Sequence, residues 1–338
     1  MRVEATTEEW KLLYEAATRI NELKPWDTLW DMDIIGIQTG DNPENTAFYS
    51  VLGKGGDCYG ITVYEGYDEF NGFMMLTMRE ELNLSVEYAM FNQQNLTCYW
   101  GDREELSAKQ RQIIKELGYK YRGKNNWLYF LSYEPGYFPY NLNQDQVLTM
   151  TRHLEKFKIA FTQYKKTAAQ VDFQDGMMYA CVCSENGDSW DFSEEPLPFM
   201  SYNLKHLMIT DEELLADLAQ MSKGDTVLEA DIRPLAAPVA DKKYDKPANP
   251  VLCILADKNS GMVISCEMAE PTDDPMIKLA DTIIGFIYEY GMPKEIRVTN
   301  VIVEAALEQI SDICNIKLRH VKKLAEIDDF FMAFKSFE

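Results

Sequence analysis

The sequence predicts an α+β protein, with an N-terminal α+β region followed by a C-terminal α/β region built on a mixed sheet. Three observations predict this class. Long segments repeat apolar residues every three to four positions, as amphipathic helices do. Shorter segments alternate apolar and polar residues or run continuously in β-branched ones, as strands do. From about residue 223 the segments follow the order βββαβαβα, which is typical of one sheet covered by helices.

The chain opens with a helix that Thr6 or Thr7 can cap and that ends before Pro25. Its apolar face consists of Trp10, Leu13, Ala17 and Ile20. Three strand segments follow, and "GKGGD" at 53–57 separates the second from the third. That stretch invites interpretation as a phosphate-binding loop, but it lacks the GxxxxGK[ST] spacing and no apolar helix follows it directly. A hairpin turn with glycines at positive φ explains it better.

The next elements alternate between helix and strand. They comprise a helical stretch from Asp68 to about Gln94, a strand at 96–100, a helix at 103–118 and a strand from 126. A long amphipathic helix near 143–165 carries the stripe Val147, Met150, Leu154, Phe157 and Phe161. A hairpin around Asn186 and Gly187 comes next, then a strand "LKHLMIT" at 204–210. Thr210 and Glu213 form a capping box for the helix that follows.

The C-terminal strands are predicted at 225–235, 250–257 and 261–270, followed by a helix, "EIRV", a helix from Val301 to Cys314, "IKLRHV" and a final helix near 326–337. We therefore expect two domains. The first is an N-terminal α+β region at 1–222, with a break near 140–168 if it forms two lobes. The second spans 223–338, with a Pro-, Ala-, Lys- and Asp-rich linker inserted at 237–250.

Charge restricts the partners. The chain has 33 Lys and Arg against 55 Asp and Glu, a net charge of −22, which repels nucleic-acid backbones. The basic stretch "KLRHVKK" at 317–323 is interpreted as a solvated strand edge, since lysines also protect exposed edges. The N-terminal "MRVEATTEEW" has no apolar signal core and no segment reaches the ~20 apolar residues of a membrane span, so we expect a cytoplasmic protein with no membrane partner.

The cysteines and histidines do not form a pattern typical of a metal site or of a Ser–His–Asp triad. The seven cysteines form no CxxC pair, which argues against a zinc ribbon. Cys181 and Cys183 have strand spacing, so they can bind a metal from one sheet face, but buried small hydrophobes are the favoured interpretation. The three histidines, His153, His206 and His320, are scattered.

The order βββαβαβα over 223–338 resembles the ribonuclease-H-like fold of integrases and transposases. "VLEADIRPL" looks like the first strand of those enzymes, "ILADKNSGMVISCEM" looks like the second and third, and "YGMPKEIRVTN" is similar to the stretch that carries their second catalytic Asp. The resemblance implies three carboxylates that hold two Mg²⁺ or Mn²⁺ ions ~3.5–4 Å apart.

Carried over by position, Asp231 matches the first acid of that site. Thr299 stands at the second position, with Asn300 beside it, so the second carboxylate is lost. The third acid can come from the last helix, as Glu326, Asp328 or Asp329. For Glu326 and Asp329 the favoured interpretation is structural, as acids in the first turn of a helix. Asp257 is likewise interpreted as a turn residue.

The front of the chain resembles an uncharacterised family of bacterial proteins of unknown function. Their pattern is an N-terminal helix, a "PW" turn and a "VMG…G…YG…Y.G" hairpin, matched here by "KPWDTLW" and "VLGKGGDCYGITVYEG". "SYEPGYFPYNLNQDQV" agrees with that family. The resemblance implies a bacterial cytoplasmic origin and transfers no catalytic residue.

Three functions are consistent with these patterns. The favoured one is a non-catalytic interaction or scaffolding protein with a degenerate ribonuclease-H-like domain, no cofactor and an unknown protein partner. The alternative is a divergent nuclease that uses Mg²⁺ or Mn²⁺ through Asp231 and the acids of the last helix. A nucleic-acid-binding remnant is disfavoured by the charge.

Overall fold

The structure, a computed structural model, describes residues 2–198, 204, 206–235 and 237–335. The chain forms two compact units. The first takes its described residues from Met1–Phe73, Gln93–Glu134 and Pro139–Ser201, and the second takes its own from Met74–Asn92, Pro135–Phe138 and Tyr202–Glu338.

The secondary-structure elements confirm an α+β fold. The helices are α1 (Thr7–Leu23), α2 (Tyr67–Thr77), α3 (Val86–Phe91), α4 (Ala108–Glu116), α5 (Gln144–Thr167), α6 (Glu212–Gln220), α7 (Pro275–Tyr290), α8 (Val301–Ile313) and α9 (Ala325–Lys335). The strands are β1 (Ile35–Thr39), β2 (Thr46–Leu52), β3 (Tyr59–Glu65), β4 (Asn95–Gly101), β5 (Trp127–Tyr133), β6 (Met177–Cys183), β7 (Trp190–Pro196), β8 (Val227–Pro234), β9 (Val251–Asp257), β10 (Met262–Ala269), β11 (Glu295–Val298) and β12 (Lys317–His320).

The first unit is built on a seven-stranded sheet in the order β5-β4-β3-β2-β1-β6-β7. Its strands pair antiparallel except for β1 and β6, which are parallel. Helices α1, α4 and α5 share one apolar core with one face of this sheet. The predicted apolar stripe of α5 lies in that core. The helix is capped by Asn143, whose side chain accepts a hydrogen bond from the Gln146 N–H.

The second unit is built on a five-stranded mixed sheet in the order β10-β9-β8-β11-β12. Strands β8, β9 and β10 pair antiparallel, and β11 and β12 run parallel to β8. Helices α7 and α8 pack their apolar residues on one face, and α9 packs on the other. The prediction that the 225–235 strand shares a sheet with 250–268 across the linker is therefore confirmed.

Turn chemistry behaves as predicted at two hairpins. The segment 53–57 joins β2 to β3, and Gly53 and Gly56 have φ of +113° and +99°, a region that favours glycine. Gly187, at φ +76°, lies in the turn between β6 and β7.

The predicted helical stretch from Asp68 to about Gln94 contains α2 and α3. Two other local predictions are wrong. Asp211, not Thr210, caps α6, because its carboxylate accepts the N–H groups of Glu213 and Leu214. The described residues of "LKHLMIT" are not in a strand, and its Lys205 lies outside the described residues.

Candidate functional site

The candidate site is a cavity of ≈ 240 Å³ in the second unit, at the C-terminal ends of the parallel strands β11 and β12. Strand β8 contributes Asp231 and Arg233, the β11 end contributes Thr299 and Asn300, and α9 contributes Asp328. Two lysines after β12 and the segment around α3 complete the wall: Lys322, Lys323, Asn83, Leu84, Ser85 and Tyr88.

A guanidinium group lies between two carboxylates of this cavity. The Arg233 Nε atom is 2.7 Å from Oδ2 of Asp231, and Arg233 Nη2 donates to Oδ1 of Asp328 at 2.9 Å. Asp231 and Arg233 are two positions apart on β8, so their side chains share the sheet face on which α9 packs. The shorter contact is an ion pair rather than an aligned hydrogen bond, because the buried Nε–H has no partner in hydrogen-bond geometry.

Burial makes Asp231 dependent on that cation. Its side chain is 5% exposed, and Arg233 is 22% exposed. Burial raises the pKa of the Asp231 carboxyl to about 6, while the Arg233 charge opposes this shift and Asp328 adds to it. The environment therefore favours either a proton or a neighbouring cation on Asp231.

The predicted second-acid position is occupied by groups with structural roles. The Thr299 carbonyl oxygen accepts a hydrogen bond from Asn83 Nδ2 at 2.7 Å. The Asn300 side chain accepts the Ile302 N–H at 2.8 Å and caps α8. Neither residue brings a negative charge to the cavity.

The acids of the last helix separate in space. Glu326 pairs with Lys258 at 2.8 Å, and its backbone N–H donates to the buried Glu229 carboxylate at 2.9 Å. Asp329 is exposed. Of the three acids considered in this helix, Asp328 lines the cavity with Asp231.

The site's donor set does not fit a pair of divalent metal ions. Within the described ranges, no three His, Cys, Asp or Glu side chains are grouped so as to hold a metal. The two carboxylates that meet, Asp231 and Asp328, already bind one guanidinium. A hard divalent cation would need further oxygen ligands and would have to displace Arg233.

Other predicted candidates lie elsewhere. Cys181 and Cys183 are both buried in the first unit's core. His206 pairs with Glu308 at 3.0 Å and His320 with Glu304 at 2.9 Å. Asp257 accepts from the Asn259 N–H and the Ser260 hydroxyl, as expected of a turn residue. In the stretch 317–323, Lys317 and Arg319 face Glu295 beside the edge strand β12.

Two contributions to the cavity were missed by sequence reasoning. The signal for Arg233 is its spacing: it lies two positions after Asp231 on a predicted strand, which places both side chains on the same face. The segment that supplies Asn83 and Ser85 lies more than a hundred residues earlier in the chain, and no sequence pattern links it to the C-terminal sheet.

His153 belongs to a partly buried chain of hydrogen bonds in the first unit that the sequence did not reveal. The hydroxyl of the fully buried Tyr49 is 2.6 Å from His153 Nδ1, and His153 Nε2 is 3.0 Å from Oε1 of Glu65. The hydrogen bond from His153 lowers the pKa of the Glu65 carboxyl. The arrangement satisfies a hydroxyl that the core would otherwise isolate from water.

We expect His153→Ala to lower the free energy of unfolding by about 1–3 kcal/mol, because it leaves the Tyr49 hydroxyl unpaired in the core. Urea denaturation at pH 7 measures this. Tyr49→Phe in the same background should recover much of the loss, since it removes the unpaired group. His320→Ala, at a more exposed pair, is the control and should change stability by less than about 0.5 kcal/mol. Equal losses for the two histidine variants would contradict the assignment.

These features define an α+β protein of two compact units, the second of which carries a mixed sheet with a guanidinium-bridged carboxylate pair on its central strand β8 and helix α9. The chain belongs to the family described as Domain of unknown function (DUF7309), which matches residues 10–180. Residues 214–335 match a second family, Domain of unknown function (DUF6930). No curated protein matches the chain. No helix among the described residues is long and apolar enough to cross a membrane.

Proposed function

We propose that the second unit is a degenerate ribonuclease-H-like domain and that the protein is a non-catalytic interaction or scaffolding protein of the bacterial cytoplasm. The element order βββαβαβα on one mixed sheet supports this fold. The observation that carries the functional proposal is the position of Arg233. Its guanidinium lies between Asp231 and Asp328, where the resemblance would place metal ions.

The physical argument concerns charge. A two-metal nuclease needs carboxylates to balance two divalent cations. Here one monovalent guanidinium already pairs with both acids, and the second-acid position holds Thr299. Lys322 and Lys323 add positive charge to the same cavity wall, which further opposes the entry of divalent cations.

We expect no nuclease activity that depends on Asp231. The assay incubates the purified protein with plasmid DNA and with single-stranded RNA in millimolar Mn²⁺, and calorimetry measures Mn²⁺ binding in parallel. Asp231→Asn is the matched control for any contaminating nuclease. Cleavage that this substitution abolishes would overturn the proposal in favour of the divergent nuclease, in which Asp231, Glu326 and Asp329 would bind the metal.

A variant designed to restore metal binding tests whether the cavity is a decayed metal site. Thr299→Asp combined with Arg233→Gln restores the second carboxylate and removes the bridging cation. Tighter Mn²⁺ binding by the double variant than by Arg233→Gln alone would support the interpretation of a decayed metal site. Equal binding by the two variants would count against it.

A further inference from the structure

A second cavity of the C-terminal unit suggests what kind of partner this protein binds. It is a groove of ≈ 590 Å³ between helix α7 and strand β10. Its floor is apolar and includes Leu255, Ile264 and Phe286, and its walls carry acidic side chains. The groove is separate from the cavity at Asp231, with which it shares no lining residue.

One wall of the groove is the edge of a sheet. In the part of the chain that the structure describes, β10 pairs with β9 and with no other strand. The outward N–H and C=O groups of such an edge can pair with an added strand. The edge also exposes apolar side chains, since Met262 is 63% and Met268 is 47% exposed.

The other wall is a helix face that leaves room for an occupant. Ile277, Asp281, Gly285 and Glu289 line the groove at intervals of four residues, so they lie along one face of α7. Gly285 lies inside the helix, and a Cβ built on it would meet nothing within 4 Å. Glycine costs a helix about 1 kcal/mol relative to alanine, and no packing contact explains it here.

The negative charge of the groove favours a positively charged occupant. Five carboxylates line it (Glu267, Asp273, Asp274, Asp281 and Glu289) against one ammonium group, that of Lys278. Lys278 is already paired with Asp273 at 3.3 Å. A second copy of the chain would bring the same acids to the same edge, and like charges in contact disfavour that pairing.

We propose that this groove binds an extended segment of a partner protein in which Lys or Arg alternates with apolar residues, added to β10 as a further strand. The inference deepens the interaction function proposed above and rests on it. Backbone pairing along β10 supplies affinity, and alternate side chains supply specificity. Strand alternation places the basic side chains on the face that carries α7, where they reach Asp281 and Glu289. The apolar side chains lie on the opposite face, beside the exposed Met268, which pairs with Leu252 of the other core.

The test uses a fluorescent peptide of alternating lysine and valine, with binding measured by anisotropy at low and at high salt. A peptide N-methylated at alternate residues keeps the charge but cannot form the strand hydrogen bonds. A peptide of alternating glutamate and valine reverses the charge. We expect the lysine peptide to bind and both control peptides to bind at least about tenfold more weakly.

Protein variants locate the site. Asp281→Lys with Glu289→Lys reverses the charge of the helix wall, and Gly285→Leu fills the groove without removing a core contact. Each should weaken binding by about tenfold or more. Asp281→Lys alone is compared with Asp312→Lys on α8, which makes the same charge change outside the groove and should leave binding within about twofold of the wild type.

The outcomes separate the alternatives. Equal binding of the N-methylated peptide, or equal effects of Asp312→Lys and the groove variants, would overturn the inference and indicate attraction to the acidic surface in general. A dimer in solution that Gly285→Leu abolishes would also overturn it, because the groove would then hold a second copy. Nuclease activity that depends on Asp231 would overturn the proposed function. The peptide measurement tests the groove separately, so the two failures can be told apart.

Discussion

Replacing Arg233 by alanine is expected to lower the free energy of unfolding of the second unit by about 3 kcal/mol at pH 8. Removing one partner of a buried ion pair leaves an uncompensated charge, at a cost of about 3–5 kcal/mol, and the partial exposure of Arg233 places it at the lower end. The charge left behind is that of Asp231, which is 5% exposed. Chemical denaturation followed by circular dichroism measures the loss.

The loss should depend on pH in a defined direction. Burial already raises the folded pKa of Asp231 to about 6, above its ordinary 3.8. A raised carboxyl pKa means that the folded state holds the proton more tightly, so this group's contribution to stability is greatest below its ordinary pKa and is lost as pH rises through 6. Removing the guanidinium raises the pKa further. The variant should therefore approach the wild type at pH 5 and diverge from it at pH 8.

Two comparisons isolate the cause. Asp231→Asn in the Arg233→Ala background removes the buried charge and should recover most of the loss at pH 8. Arg297→Ala is the matched control on the neighbouring strand β11, because its partner Glu295 keeps Lys317 at 3.1 Å and Arg319 at 3.9 Å. We expect that control to cost less than about 1 kcal/mol. A loss that does not change between pH 5 and pH 8 would refute the role of Asp231.

Phe157→Ala should destabilise the first unit by about 3–5 kcal/mol, the usual cost of deleting a buried aromatic side chain. Phe157 is fully buried on α5 and packs against Phe161, with parallel rings 5.8 Å apart, and against Tyr49 at 5.6 Å. The substitution removes these contacts and leaves a cavity under the sheet. A thermal melt or a urea titration measures the effect.

Helix α5 supplies its own control. Ile159 lies two positions further along, on the outer face, and is 44% exposed. Ile159→Ala should change stability by less than about 0.5 kcal/mol, because its side chain is already largely in water and alanine is the better helix former. If the two variants unfold alike, the predicted apolar stripe of α5 is not the face that packs on the sheet.

Much of the fold could be predicted from the sequence because its determinants are local. The 3.6-residue stripe of α5 and the Asn143 cap specify that helix and its inward face. The glycines of 53–57 specify a hairpin, because the φ of +113° at Gly53 is one that other residues rarely adopt. The mixed sheet of the second unit followed from element order, since parallel neighbours need a helical crossover between them.

The misplaced cap of α6 reflects competition between two neighbouring residues. Thr210 and Asp211 can both cap a helix, and the carboxylate of Asp211 accepts two backbone N–H groups, which a hydroxyl one residue earlier does not match. The residue types alone do not decide which of the two residues caps the helix, because that depends on the backbone conformation of the residues before it.

The sequence by itself determined the α+β class, the five C-terminal strands and the absence of an acid at Thr299. Only the tertiary structure decided what surrounds Asp231. Strand periodicity places Asp231 and Arg233 on one face, but the third member of the bridge, Asp328, arrives from a helix whose packing depends on the whole sheet. Likewise, Asn83 reaches the same cavity from a segment more than two hundred residues away from Thr299. Side-chain contacts between distant elements depend on packing in three dimensions, which local periodicity does not encode.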